Sequence, residues 1–264
     1  MKSINPKKSL GQNFLTDKNI INIIVDRANI TKKDIVLEVG PGTGSLTESI
    51  LLKNPKKIFA IEKDKDLSKN LSKKFKEKLT IINNDILKFD EKKLAKQPMI
   101  VFGNLPYNIS TQILVKWIKL IDLNKTFKKL VLMFQKEVAE RILATTNQKN
   151  YGRLAVLSSW RMNVKKVTEV SPNCFYPIPK VKSTVLLIEP KDQYIDFKNP
   201  KNLEHITKVF FNQRRKMIKK PLNLIFKNVD DISVKLNINI NDRPQNLSPQ
   251  KYFELCKEYE KLIF

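Results

Sequence analysis

Short runs of β-branched and aliphatic residues recur along the first two-thirds of the chain, separated by stretches with helical periodicity. Such runs are typical of strands that are buried on both faces of a parallel sheet. Between them, apolar residues stand three or four positions apart, which predicts amphipathic helices. The pattern therefore predicts an α/β fold built on a mostly parallel sheet. The predicted strands are residues 35–39, 57–62, 79–84, 99–102, 129–134, 164–170 and 183–189, the last two as an antiparallel pair.

The apolar pattern changes near residue 194. Beyond this point the strand-like runs stop and apolar residues recur at helical spacing only. We therefore expect two domains, a sheet domain at residues 1–193 and a small helical domain at residues 194–264. Within the second domain, one helix is predicted over residues 202–218.

A glycine-rich turn follows the first of the predicted parallel strands. Gly40, Gly42 and Gly44 stand at alternate positions, and Ser45 occupies the expected N-cap of the next helix. Glycine lets the backbone approach a ligand closely, and a helix N-terminus offers unpaired N–H groups beside it. The spacing differs from the G-x-G-x-x-G fingerprint of nicotinamide-binding proteins. It resembles the E/D-x-G-x-G-x-G motif of S-adenosylmethionine-dependent methyltransferases. A tight turn without a ligand is the alternative.

Two acidic residues follow the next two predicted strands. Glu62 ends the strand at residues 57–62, and Asp85 comes directly after the strand at residues 79–84. In doubly wound sheets an acid at the position of Glu62 accepts hydrogen bonds from the vicinal hydroxyls of a ribose. A carboxylate at Asp85 suits the exocyclic amine of an adenine, which is a donor. A surface acid among neighbouring charges is the alternative for Glu62.

Residues 103–107 read G-N-L-P-Y and follow the predicted strand at residues 99–102. A motif [N/D]-x-P-[Y/F] at this place is similar to the catalytic loop of enzymes that methylate exocyclic amino groups. The lone pair of adenine N6 is delocalised into the ring, so acceptors on Asn104 and on the Leu105 carbonyl would favour a pyramidal, nucleophilic nitrogen. Pro106 would stiffen the loop, and Tyr107 would stack on the base. A simple strand-ending turn is the alternative.

A proline-rich loop at residues 171–181 connects the last two predicted strands. Its prolines make the loop rigid, and it contains two adjacent aromatic residues, Phe175 and Tyr176. We expect Phe175 to cover the face of a flipped base opposite Tyr107. The alternative is a rigid hairpin connection whose aromatic rings only pack.

The chain has a formal net charge of +24 at pH 7, because 50 Lys and Arg residues face 26 Asp and Glu residues. This excess favours association with a polyanion, foremost nucleic acid, with an anionic membrane surface as the alternative. A lysine-rich proteome would account for part of it. Arg214, Arg215 and Lys216 form a basic cluster suited to phosphate contacts, so we predict that they bind RNA.

Cysteine and histidine content narrows the chemistry. Cys174 and Cys256 fit no paired motif and His205 is the only histidine, so we expect no bound metal, no disulfide framework and no histidine-based triad. Residues 1–9 are basic and polar and are expected to form a mobile arm, without the apolar segment of a signal peptide. No stretch reaches the roughly 20 apolar residues of a membrane span. We expect a cytoplasmic monomer with no membrane partner.

Several motifs appear in order across nearly the whole chain: G-Q-N-F-L, E-V-G-P-G-T-G-S-L-T, I-E-K-D, N-D, N-L-P-Y-N-I-S, F-Y-P-I-P-K-V-x-S and F-x-Q-R-R-K. This succession resembles the bacterial KsgA/RsmA family of ribosomal RNA adenine dimethyltransferases. The resemblance implies a Rossmann-like methyltransferase domain, a small helical C-terminal domain and S-adenosylmethionine as cofactor. It implies dimethylation at N6 of two adjacent adenosines near the 3′ end of small-subunit (16S) rRNA, in immature small subunits. It also implies that the cofactor contacts Asn13, Leu15, Gly40, Glu62, Asp85 and Asn104, and the glycine turn adds Gly42.

Three alternatives remain open at the level of sequence. An Erm-type dimethyltransferase of large-subunit (23S) rRNA shares the fold and the N-[IL]-P-[YF] motif, although T-G-S-L-T and F-x-Q-R-R-K favour the small-subunit enzyme. A DNA adenine methyltransferase would usually have proline in place of Leu105. A non-catalytic RNA-binding assembly factor is disfavoured by the intact motif at residues 104–107 and by Glu62.

Overall fold

In the computed structural model of the protein, the described residues are 6–7, 10–120 and 122–263, so most of the predicted arm at residues 1–9 lies outside them. The chain forms two compact units. The first contains the described residues up to Ala139 together with Val164–Pro190. The second contains Glu140–Asn163 and the described residues from Lys191 onward.

The first unit is built on a seven-stranded sheet. The strands of the chain are β1 (Phe14–Leu15), β2 (Ile35–Val39), β3 (Lys57–Glu62), β4 (Thr80–Asn83), β5 (Met99–Asn104), β6 (Phe127–Gln135), β7 (Met162–Val170), β8 (Phe175–Tyr176) and β9 (Ser183–Pro190). Their order in the sheet is β4-β3-β2-β5-β6-β9-β7. The five strands from β4 to β6 are parallel, and β9 runs antiparallel to β6. β7 is the neighbour of β9, as predicted. A further pair of short antiparallel strands, β1 and β8, forms a separate ribbon.

The apolar runs form the centre of this sheet, as the sequence predicts. Every residue of β2 is buried, and Leu37 pairs with Phe59 on one side and with Val101 on the other. Because β3 and β4 lie on one side of β2 while β5 and β6 lie on the other, the strand order reverses at β2. In open α/β sheets a ligand crevice forms outside the carboxyl ends of the strands at such a reversal.

Two α-helices of the first unit, α1 and α3, begin at an aspartate that caps them. Asp17 accepts a hydrogen bond from the N–H of Ile20 at the start of α1, and Asp64 caps α3 in the same way. Ser45 was expected as the N-cap of the next helix, but it is the first helical residue, and the cap is Gly44 with φ 85°. The helices are α1 (Lys18–Arg27), α2 (Ser45–Leu52), α3 (Lys65–Phe75), α4 (Ser110–Ile118), α5 (Leu123–Thr126) and α6 (Lys136–Leu143), the last of which runs on into the second unit.

The second unit is helical. Its core contains Trp160, Phe197, Phe210 and Tyr252, with the Trp160 and Phe197 ring centroids 4.9 Å apart. The helices are α7 (Arg153–Arg161), α8 (Pro200–Asn212), α9 (Lys219–Asn223), α10 (Val229–Lys235) and α11 (Pro249–Ile263). Over the described part of the chain, no helix combines the length and apolar character needed to cross a membrane.

These compact units do not coincide with the division predicted at residues 193 and 194. Glu140–Asn163 belongs with the C-terminal helices, because its polar groups are satisfied there. The hydroxyl of Tyr151 donates to the carbonyl of Leu247 at 2.9 Å, and the indole N–H of Trp160 donates to the carbonyl of Ile195 at 2.7 Å.

The helix predicted over residues 202–218 is shorter than expected. α8 ends at Asn212, and a turn follows in which the N–H of Gln213 donates to the carbonyl of Phe210. Past the turn, the N–H of Ile218 donates to the carbonyl of Asp242 instead of to a carbonyl four residues earlier. Hydrogen bonds to a distant loop therefore end a helix that local periodicity would continue.

Candidate active site

A cavity opens at the carboxyl ends of β2, β3 and β5 in the first unit. Its wall also includes the segment that precedes α1, among it Gly11 and Phe14. The predicted cofactor and catalytic residues, apart from Phe175, therefore come together in one place. Those that line the cavity are Asn13, Leu15, Gly40, Gly42, Glu62, Asp85, Asn104, Leu105, Pro106 and Tyr107.

The glycine turn adopts a backbone that needs glycine. Gly40 and Gly42 have φ values of 68° and 58°, in the left-handed region that residues with a Cβ avoid. A Cβ added at Gly42 would lie 2.8 Å from Cδ1 of Phe14. Glycine at this position therefore lets the segment before α1 pack directly on the turn.

Glu62 lies at the end of β3 and is almost fully buried. One carboxylate oxygen accepts from the N–H of Gly42 at 3.2 Å and the other from the N–H of Asp64 at 2.9 Å. Burial raises the pKa of Glu62, and these two N–H groups oppose that rise. Each oxygen keeps a lone pair that can accept from a ligand hydroxyl, so the side chain fits a ribose diol.

Asp85 follows β4 and forms an ion pair with Lys63 at 2.9 Å. It also accepts from the N–H of Leu87 at 3.0 Å. The Lys63 ammonium holds the pKa of Asp85 below its usual range. Asp85 is therefore an ionised acceptor, as recognition of an adenine amine requires. Its pairing with Lys63 could not be predicted from the sequence.

The side chain of Asn104 is held in one orientation. Its Nδ2 donates to the backbone carbonyl of Asn13 at 2.8 Å. A carbonyl is only an acceptor, so the atom facing it must be the amide nitrogen. Oδ1 forms no hydrogen bond with the described residues, and no described backbone N–H donates to the carbonyl of Leu105. Two acceptors at the cavity wall therefore remain available for a donor.

Tyr107 is anchored through its hydroxyl, which lies 2.7 Å from the hydroxyl of Ser183 at the start of β9. Burial raises the pKa of Tyr107, so the ring stays a neutral phenol. Ser183 is fully buried. The sequence indicated the ring of Tyr107 but not the serine that fixes it, because the two residues are 76 positions apart.

The position of Phe175 differs from the prediction. It was expected to cover a flipped base, but it is only 2% exposed and does not line the cavity. Phe175 lies opposite Leu15 in the β1–β8 ribbon and belongs to the apolar core of the first unit. Adjacent residues of a strand point to opposite faces, so burial of Phe175 leaves Tyr176 outside, 61% exposed. In this structure Phe175 is therefore a core residue.

Sequence reasoning missed a buried acid in the cavity wall. Glu38 lies in β2, is 1% exposed, and accepts a 2.6 Å hydrogen bond from the hydroxyl of Thr47. Burial raises the pKa of Glu38 to about 7, with Glu62 adding to the rise. The only signal in the sequence was the acid of the E-x-G-x-G-x-G motif, which says nothing of protonation.

A polar clamp ties the segment before α1 to the start of α3. Asp64 accepts from Gln12 at 3.0 Å and pairs with Lys7 at 3.0 Å. Lys7 also pairs with Asp66 at 2.8 Å. The clamp holds one wall of the cavity against the helix that follows β3.

The predicted basic cluster lies in the second unit, and its three residues differ in their exposure and hydrogen bonding. Arg214 is tied down, because its guanidinium donates to the backbone carbonyl of Lys149 and to the side chain of Gln245. Arg215 and Lys216 are exposed in the turn after α8, so two of the three cations face solvent. Across residues 6–7, 10–120 and 122–263, no group of three or more His, Cys, Asp and Glu side chains is arranged to hold a metal ion.

This fold and this cavity define an α/β protein with a pocket at the switch point of its parallel sheet, lined by the glycine turn and by the loop at residues 104–107. The chain matches the family model of ribosomal RNA adenine dimethylases over residues 3–261. It belongs to the ribosomal RNA adenine dimethylase family.

The chain is similar over most of its length to curated relatives. It is 54% identical to the ribosomal RNA small subunit methyltransferase A of Pelagibacter ubique, over 98% of each chain. It is 43% identical to the protein of the same name from Ehrlichia ruminantium, over 96% of this chain and 97% of that one.

Two solved structures share the fold. A dimethyladenosine transferase from Plasmodium falciparum superposes with a TM-score of 0.79 at 27% identity, over 94% of this chain and 98% of that chain. The 23S rRNA methyltransferase ErmE superposes with a TM-score of 0.69 at 22% identity, over 92% of this chain and 98% of that chain. At that identity the second likeness shows the fold alone.

Proposed function

We propose that this protein transfers methyl groups from S-adenosylmethionine to N6 of two adjacent adenosines near the 3′ end of small-subunit (16S) rRNA, during small-subunit biogenesis. Membership of the ribosomal RNA adenine dimethylase family supports the reaction, and the names of the relatives from Pelagibacter ubique and Ehrlichia ruminantium support the small subunit as its source of RNA. We propose in addition that the RNA is presented within an immature subunit.

The residues present fit the cofactor. Glu62 offers lone pairs to a ribose diol, and Asp85 offers an ionised acceptor to an adenine amine. The remaining parts of the cofactor would be held at the glycine turn, by Gly40 and Gly42, and by the segment before α1, through Asn13 and Leu15. When bound, S-adenosylmethionine supplies an activated methyl group on its sulfonium.

The single observation that best supports methyl transfer to an amine is the fixed orientation of Asn104. Its Nδ2 is occupied by the carbonyl of Asn13, so Oδ1 remains as an acceptor at the cavity wall. Asn104 Oδ1 and the Leu105 carbonyl would accept hydrogen bonds from the two N–H groups of the target amine, and this would draw the nitrogen toward a pyramidal geometry. These contacts strengthen as charge develops on the nitrogen, so they raise the rate of transfer.

Pro106 and Tyr107 would hold the base in position. The carbonyl of Pro106 accepts from the N–H groups of Ile109 and Ser110, which fixes the loop at the start of α4. The Tyr107 ring, anchored by Ser183, would stack on the target adenine once it leaves its helix or loop. Of the predicted RNA-binding cluster, Arg215 and Lys216 are exposed and would contact phosphates.

The proposal is tested by labelled methyl transfer to undermethylated small and large ribosomal subunits in parallel, with nucleoside analysis of the product. We expect label in N6,N6-dimethyladenosine of the small-subunit RNA. Label in large-subunit RNA would instead indicate the activity of the Erm class. Cofactor binding without transfer to either subunit would favour a non-catalytic assembly factor.

A further inference from the structure

The end of β8 and the loop that joins it to β9 present an apolar surface to solvent. Tyr176, Ile178 and Val181 are 61%, 66% and 43% exposed, and we call these three residues the loop surface. The Tyr176 ring forms no ring contact with a described residue, and its hydroxyl has no described hydrogen-bond partner. Exposed apolar side chains that fall together in one short segment and include an aromatic ring are typical of an interaction site.

Both ends of this loop adjoin the cavity. At its start, Tyr176 lies opposite Phe14 in the β1–β8 ribbon, and Phe14 lines the cavity. At its end, the hydroxyl of Ser183 lies 2.7 Å from that of Tyr107, whose ring also lines the cavity. The loop surface therefore lies next to the pocket, while none of its three residues is part of the pocket wall.

The charges around the loop surface select its partner. Lys180 and Lys182 are exposed within the same loop, and neither forms an ion pair with a described residue. Aromatic rings combined with free cations are the usual surface for single-stranded nucleic acid, because bases stack on the rings while phosphates meet the cations. A hydrophobic protein partner would gain nothing from two uncompensated lysines.

We propose that the loop surface binds an unpaired nucleotide next to the target adenosine, with its base stacked on Tyr176 and its phosphate near Lys180 and Lys182. This inference rests on the proposed function, since it requires an RNA substrate. The stacked base is a neighbour of the target, because the target base enters the cavity and Tyr176 lies outside it. It must be unpaired on the substrate, since a base inside a duplex has no free face.

The inference is tested with Tyr176→Ala, Tyr176→Phe and Leu52→Ser in the full-length protein. Leu52 is 83% exposed at the end of α2, so its substitution is a matched loss of exposed apolar surface elsewhere. Each variant is titrated with a fluorescently labelled single-stranded oligoribonucleotide containing unpaired adenosines, and with S-adenosylmethionine alone. KM for undermethylated small subunits and kcat are measured in parallel.

Tyr176→Ala should weaken oligonucleotide binding about tenfold and raise the KM for subunits by a similar factor, as expected for the loss of one stacked base. Cofactor affinity should not change, and Tyr176→Phe and Leu52→Ser should behave like the wild type. The salt dependence of binding should also be unchanged in Tyr176→Ala, whereas Lys180→Ala with Lys182→Ala should reduce its slope.

Wild-type oligonucleotide affinity in Tyr176→Ala would overturn the inference, as would a loss that Tyr176→Phe shares. A wild-type protein that fails to bind unpaired RNA would overturn it too. Failure of the proposed function gives a different result, because the wild type would then bind RNA in a Tyr176-dependent way yet transfer no methyl group to small subunits.

Discussion

Substitution of Asn104 is the sharpest test of the proposed chemistry, because its side chain has two separable roles. Oδ1 is the free acceptor proposed to receive an N–H of the target amine, and Nδ2 donates to the carbonyl of Asn13 at 2.8 Å. Asn104→Ala removes both. Loss of a preorganised group that acts on developing charge costs about 10²- to 10³-fold in kcat. Loss of the neutral hydrogen bond to Asn13 costs about 1 kcal/mol, which corresponds to about a fivefold loss of affinity for a cofactor held by this wall of the cavity.

Asn104→Asp separates the two effects. Its carboxylate keeps an acceptor for the amine but places a second acceptor against the carbonyl of Asn13, where Nδ2 used to donate. We expect cofactor affinity in Asn104→Asp to fall at least as much as in Asn104→Ala, while its rate at saturating cofactor exceeds that of the alanine variant.

The assay is single-turnover methyl transfer at saturating S-adenosylmethionine, combined with calorimetric titration of the cofactor alone. Near-wild-type transfer by Asn104→Ala would refute the role of Oδ1. Unchanged cofactor affinity in both variants would refute the anchoring role of the hydrogen bond to Asn13, and would leave Oδ1 as the only functional atom of the side chain.

Three further predictions follow from burial, charge and backbone geometry. Burial raises the pKa of Glu38 from 4.5 to about 7, so between these pH values the folded state keeps a proton that the unfolded chain has already released. The free energy of unfolding should therefore fall by about 3 kcal/mol as the pH rises through this range. Urea titrations at pH 5 and pH 8 should show this fall in the wild type and should lack it in Glu38→Gln. Arg215→Ala should make the plot of log K for RNA binding against log salt concentration less steep, by about 0.7 to 0.9 in slope. Arg214→Ala should chiefly lower the melting temperature, because Arg214 is hydrogen-bonded to Lys149 and Gln245. Equal salt slopes for the two variants would contradict this assignment. Gly42→Ala should weaken cofactor binding, because a φ of 58° costs a residue with a Cβ about 1–2 kcal/mol and because that Cβ would lie 2.8 Å from Phe14. Gly152→Ala is the matched control, since Gly152 has an extended φ and open space around it. This control variant should bind the cofactor as the wild type does.

The central sheet and the location of the cavity could both be predicted from the order of residues in the chain. Runs such as residues 35–39 are buried on both faces, which is the environment that a central strand of a parallel sheet gives to a short apolar segment. Three glycines at alternate positions predict a backbone that residues with a Cβ avoid, and the positive φ values of Gly40, Gly42 and Gly44 agree with this. Because parallel strands end at one edge of the sheet, Glu62 and Asp85 had to converge there.

Long-range contacts determine which of two neighbouring side chains is buried in the core and which faces solvent. In the pair Phe175 and Tyr176, alternation along a strand puts one ring inside and one outside, and either choice suits the sequence. The register with β1 decides it: Phe175 lies opposite Leu15 and is buried, so Tyr176 is exposed. A single sequence holds no record of which partner strand will pair, nor in which register.

The same reason applies to the helical unit and to the charges. Local periodicity continues past Asn212, but hydrogen bonds to a distant loop end α8, and the Lys149 carbonyl holds Arg214. The protonation of Glu38 likewise depends on burial and on Glu62, which is remote in sequence. Periodicity and residue type act over a few positions and can be read from the chain, whereas burial, register and ion pairing depend on residues that only folding brings together.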